Sequence, residues 1–167
     1  MPYTYQYFVE GETEERIISV LKTDFRCIQP GKVKVLTVVA KRITLAQVST
    51  LRHNTVLILV FDTDTKDSSI LKENITFLRR QSMIRQVVCI PQVRNLEEEL
   101  VRSCTISRIK ELLSSRSNSD FKNDVCRCSS LVGALRNHAF AIQTFWSISP
   151  TGPFSDIPNE SAIIKTN

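Results

Sequence analysis

The chain has 167 residues, 42% of them hydrophobic, which is ample for one buried core and short of what two full domains need. A formal net charge of +5 and a pI near 9.1 permit attraction to polyanions, but 17 acidic residues are scattered among the basic ones, so charge alone favours nucleic acid only weakly. Cys27, Cys89, Cys104, Cys126 and Cys128 form no C-x-x-C pair with a matching cluster, which argues against zinc; with no signal-peptide core and no apolar run near the length of a bilayer, a reducing cytoplasm and no membrane are expected.

In chain order, Tyr3 to Val9 is aromatic and β-branched and reads as a strand, ended by Gly11, with Thr13 as a helix cap and Ile17, Ile18 and Leu21 on the apolar face of the helix that follows. Lys32 to Val39 suits a second strand. Thr44 to Gln47 matches a capping box, predicting a helix that carries Leu45, Val48 and Leu51. Thr55 to Phe61 is the strongest strand signal, since a short unbroken aliphatic run implies burial on both faces. Leu71, Ile75 and Leu78 recur at helical spacing, and Arg85 to Ile90 forms a further strand closed by Pro91.

This alternation predicts an α/β fold: a Rossmann-like core over residues 3–100, with a mostly parallel four-stranded sheet flanked by helices. Asn95 to Glu98 offers a second capping box, and Ile106 to Leu113 is expected to be helical. Ser114 to Asp120 reads as a loop. Phe121, Val125, Cys128, Val132 and Leu135 then share one face of a single helix, with Cys128 buried. Residues 101–148 are thus a helical extension of one domain spanning 1–148, and 149–167, with three prolines, is an irregular wrap or a partly disordered tail.

In parallel α/β sheets, functional groups collect beyond the carboxyl ends of the strands. Glu10, Asp62 and Asp64 fall there. Residues two apart on an extended segment project to one side, roughly 6.6–7 Å apart at Cα, so Asp62 and Asp64 can aim at one ion. Carboxylates this close need a compensating cation, and Mg²⁺ or Mn²⁺ supplies one with a preference for hard oxygen ligands. Helix capping is the competing account for Asp64 and Asp67, and Glu14 and Glu15 suit the positive end of the first helix without any ligand. Capping explains less for Asp62, which directly follows the buried strand.

The string Phe8-Val9-Glu10-Gly11-Glu12-Thr13-Glu14, with Leu59-Val60-Phe61-Asp62-Thr63-Asp64 about fifty residues later, resembles the two signature motifs of the Toprim domain. That family includes topoisomerase and primase catalytic modules, a ribosomal-RNA maturation ribonuclease and nucleases of the overcoming-lysogenization-defect type. The resemblance covers roughly Tyr3 to Leu100. It implies that Glu10 is a general acid/base or a metal ligand, that Asp62 and Asp64 hold the metal, and that Glu14 is the second acid of the nuclease-type motif. Glu97 is similar to a later acid of some members, with Glu98 and Glu99 competing for that place.

Phosphodiester hydrolysis is the natural reaction for so short a chain, so a Mg²⁺- or Mn²⁺-dependent nuclease acting on DNA or RNA, in phage defence or nucleic-acid processing, is expected. The alternatives are a nonenzymatic Toprim-like module that binds nucleic acid or a partner protein, and a hydrolase of small phosphorylated molecules. Lys122, after the polar loop, can touch substrate phosphate or stabilise transition-state charge. His53 and His138 read as a surface turn and a helix end, and Phe145 and Trp146 as packing anchors.

Overall fold

The computed structural model describes residues 2–166. Four strands, β1 (Thr4–Val9), β2 (Lys32–Val35), β3 (Thr55–Asp62) and β4 (Ile84–Gln92), form one sheet in the order β2-β1-β3-β4. Every pairing is parallel. Helix α1 (Glu12–Thr23) joins β1 to β2, α2 (Leu45–Val48) leads to β3, α3 (Ser69–Arg79) joins β3 to β4, and α4 (Leu96–Ser103) follows β4. The fold is therefore α/β and Rossmann-like, as the alternation of elements predicts. No helix among the described residues is long and apolar enough to cross a membrane.

The apolar run of β3 is buried at every residue up to Asp62, which follows from its place between β1 and β4. Successive side chains enter opposite layers. Tyr7, Val9, Ile58 and Val60 pack with Ile17, Ile18 and Leu21 of α1, whereas Phe8, Leu57, Leu59 and Phe61 pack with Leu71, Ile75 and Leu78 of α3. Helices α1 and α3 thus lie on opposite faces, and the direction of the connections reverses between β1 and β3. A sheet of this order opens a crevice at that reversal, beyond the carboxyl ends of the two strands.

Several expected boundaries shift. Strand β2 stops at Val35 because the chain turns at Thr37, whose carbonyl accepts from Lys41 N at 3.0 Å, and Val38 enters the core instead. The Thr44–Gln47 capping box forms in both directions, yet the helix behind it is a single turn and leaves Leu51 outside. The helix expected over Ile106–Leu113 shrinks to a 3-10 turn at Ile109–Glu111. The single helix expected through Phe121 and Leu135 is two, α5 (Phe121–Arg127) and α6 (Leu131–Asn137). Cys128 lies at the break with extended backbone, half-buried rather than in the core. The serines after it favour such breaks by competing for backbone groups, and both pieces still deliver Phe121, Val125, Leu131 and Leu135 to the α1 layer.

The tail is an ordered wrap. Phe154 is buried and stacks on Phe61 with ring centroids 6.2 Å apart, while Ile164 joins the opposite layer. Glu160 N donates to Cys89 O at 2.9 Å, and Cys89 N donates to Glu160 Oε2 at 2.8 Å. The outer edge of β4 is thereby covered, which blunts edge-to-edge association.

Glu99 is the fold's most heavily committed acid. It is fully buried, accepts from Val93 N at 2.9 Å and Trp146 N at 3.0 Å, and pairs with Arg102 at 2.7 Å. Glu99→Ala would strand one cation and two amides, so unfolding in urea is expected to show a loss of about 3 kcal/mol or more. A loss below about 1 kcal/mol would show that the clamp is dispensable.

Candidate functional site

Glu10 leaves the end of β1 and Asp62 ends β3, so the two acids flank the crevice where the connections reverse. Glu14 reaches the same place from the first turn of α1. The three line a cleft of about 320 Å³ together with Gly11 and Lys122. Gly11, in extended backbone, is the N-cap of α1 and makes no side-chain bond, whereas Thr13, the expected cap, lies inside the helix and is buried. An added Cβ on Gly11 would stand 3.0 Å from Glu14 Oε2. The glycine of the motif therefore leaves room for the Glu14 carboxylate.

Burial is the first cause of the electrostatics here. It raises the Glu10 carboxyl to about 7, against partial relief from the Val39 amide and with added repulsion from Glu14 and Asp64. Asp62 rises to about 7 for the same reason, with Glu14, Asp64 and Glu10 adding repulsion and a hydrogen bond from Gln92 opposing them. Glu14 is also raised by burial, which its own amide, Lys122 and Gln92 offset in part. Glu10 Oε1 is buried with no hydrogen-bond partner. Three acids thus share a site that disfavours their charges, the condition in which a cation is most strongly attracted.

Asp64 sits differently from its expected place beside Asp62. Strand β3 ends at Asp62, so the two-residue projection no longer applies, and Asp64 stands exposed in the connecting loop. Its charge still reaches Glu10 and Asp62. The N-cap of α3 is neither acid but Ser68, which makes no side-chain cap bond, and Asp67 just before it accepts from Ser69 N at 2.8 Å. The three consecutive glutamates take different places: Glu99 is locked in the core, Glu98 is exposed, and Glu97 pairs with Lys122 at 3.4 Å on the rim of the cleft. Burial opposes the Lys122 charge, but Glu97, Glu14 and Asp62 outweigh it and hold the ammonium above its usual range. His53 lies in an exposed turn and His138 at the end of α6, both away from the cleft.

Two residues without an individual sequence signal position the acids. Gln92, fully buried at the end of β4, donates from Nε2 to Asp62 Oδ1 at 2.7 Å and accepts from Trp146 Nε1 at 3.3 Å. Thr63 clips the β3 loop to the β4 loop: its amide donates to Gln92 O at 3.2 Å and its Oγ1 accepts from Arg94 N at 2.9 Å. Arg94 adopts a left-handed φ of 69° in the turn that this clip closes. A polar residue ending a run of buried strand residues was the one available hint for Gln92.

Comparisons with protein-family models, curated proteins and solved structures find no match. The donor set itself fits a hard divalent cation: carboxylate oxygens from separate elements, one of them buried without a partner. In the present side-chain positions, however, no three His, Cys, Asp or Glu groups among the described residues form a ready-made ligand set.

The upward shifts have a stability consequence. Folded Glu10 and Asp62 keep protons that the unfolded chain releases between about pH 4 and pH 7, so the metal-free protein loses stability as pH rises through that window. In thermal melts with EDTA, Asp62→Asn should raise Tm by about 5 °C at pH 8 and change it by less than about 1 °C at pH 4. A lower Tm for the variant at pH 8 would show that Asp62 is fully compensated in the native state.

Proposed function

We propose that the chain is a small Toprim-like nuclease, hydrolysing phosphodiester bonds of nucleic acid with Mg²⁺ or Mn²⁺. The observation carrying this reading is the gathering of Glu10, Glu14 and Asp62 on one open cleft at the reversal between β1 and β3. When bound, the divalent ion would supply charge neutralisation and Lewis acidity toward a phosphoryl group. Glu10, poised near neutrality, is suited to exchange a proton with the attacking water or the leaving oxygen. Lys122, steered by Glu97, stands where a phosphate entering the cleft would gain a counter-charge. Gln92 and Thr63 are positioning residues that hold the Asp62 segment.

The resemblance of Phe8–Glu14 and Leu59–Asp64 to the Toprim signatures supports the same roles for Glu10, Glu14, Asp62 and Asp64, with Glu97 as a further acid. We place the activity in phage defence or nucleic-acid processing by that resemblance. The nonenzymatic alternative is a module that binds nucleic acid or a partner protein and keeps the same acids for metal-supported structure. Turnover separates the two.

Wild-type protein incubated with single- and double-stranded DNA and RNA is expected to cleave at least one of them with Mg²⁺ or Mn²⁺ and none with EDTA. Asp62→Asn with Asp64→Asn should lower the rate by about 100-fold or more, and Gln92→Leu by about 10–100-fold, as losses of supporting hydrogen bonds at metal sites do. Full cleavage by the double variant, or none by wild type with any metal, would sink the nuclease reading.

A further inference from the structure

A second cleft, of about 270 Å³, lies on the α2 face of the sheet and is lined by Gln6, Phe8, Lys32, Lys34, Arg52 and Thr55, among others. Its three cations follow from the register. Lys32 is level with Gln6 and Lys34 with Phe8, so both lysines project to the same face, roughly 7 Å apart at Cα. Arg52 precedes β3, whose first residue pairs with Thr4 at the amino end of the sheet. From that end upward the order along the sheet is Arg52, Lys32, Lys34, and Glu10 follows the end of β1; Glu14 and Lys122 set the acidic cleft toward the α1 side, so a strand passing between the clefts would cross the carboxyl end of the sheet.

We propose that this basic cleft binds the phosphates of a nucleic-acid strand and directs the strand toward the acidic cleft at the end of β1. The direction of travel rests on the nuclease reading; the phosphate binding does not. None of the three cations is paired among the described residues, where the ion pairs are Arg42–Glu73, Lys72–Asp156, Arg102–Glu99 and Lys122–Glu97. The walls are fixed: Gln6 Nε2 donates to Lys32 O at 3.2 Å, and Thr55 Oγ1 donates to Arg52 O at 2.6 Å. Three cations along one groove suit contact with a phosphate backbone, and its two glutamines are engaged with the main chain, Gln6 Nε2 with Lys32 O and Gln47 Oε1 with Thr44 N. Lysines on an edge strand also deter edge pairing, but that role needs neither a concave surface nor Arg52, which lies off the strand.

The test is fluorescence anisotropy of a labelled 20-mer, single-stranded and duplex, in EDTA so that cleavage cannot interfere. Lys32→Glu with Lys34→Glu should weaken binding at least tenfold and reduce the slope of log affinity against log salt by about 2. Arg52→Glu should weaken binding and lower the slope by about 1, whereas Arg79→Glu with Arg80→Glu, on the exposed end of α3, should change little. An unchanged affinity and slope in the lysine variant, with circular dichroism confirming its fold, would overturn the proposal, as would no binding by wild type. Tight binding of inorganic phosphate or a mononucleotide, with no gain for the 20-mer, would replace the strand with a small phosphorylated ligand and also overturn it. Binding without cleavage under metal would leave the cleft standing and remove the nuclease.

Discussion

The parallel pairing of β1 with β3 is the constraint on which the rest depends. It places Val9 beside Val60, so the next residue of one strand and the end of the other arrive together at the same edge of the sheet. Because α1 and α3 leave on opposite faces, a cleft lined by Glu10, Glu14 and Asp62 stays open at that edge. Burial of β1 and β3 by helices on both sides fixes the register, since a slip of one residue would turn Phe8 and Leu59 into the wrong layer. Glu10 and Asp62 are neighbours because the core beneath them has only one good packing.

The same core makes the acids costly. A site sunk into the end of a fully buried sheet desolvates its carboxylates, and here desolvation exceeds every other influence on Glu10, Glu14 and Asp62. The structure answers with neutral donors: the Val39 amide, the Glu14 amide and Gln92. These relieve the acids only partly, which leaves their carboxyls raised. The surrounding scaffold is correspondingly firm. Gln92 leans on Trp146, Trp146 is held through its amide by Glu99, and Glu99 also fastens the Val93 turn. The C-terminal third of the chain, apart from supplying Lys122, acts through this relay on where Asp62 can point.

Charge is also divided across the molecule. Acids gather at the carboxyl end of the central strands, while cations with no ion pair among the described residues line the edge strand and the segment before β3. The modest net charge of +5 conceals this separation, because composition averages over a surface on which opposite signs occupy different places.

The strand order of hydrophobic runs, the acids at strand ends and the glycine between Glu10 and Glu14 were legible in the sequence because each is a local pattern. An unbroken aliphatic run such as Val56 to Phe61 can be stable only where both faces are covered, and that alone predicts a central strand. Helical spacing carried the information for Glu99 as well: it falls on the face of Leu96, Leu100 and Ser103, while Glu97 does not. Local patterns failed where long-range contacts decide. Phe121 to Leu135 keep helical spacing across a break because two short helices can serve one apolar layer. What only the tertiary structure decided is which acids meet: Asp64 drifts outward once β3 ends, Gln92 and Trp146 enter from distant segments, and the cleft takes its depth from the packing of both sheet faces. Desolvation, the force that sets the chemistry of Glu10 and Asp62, exists only after the chain has folded around them.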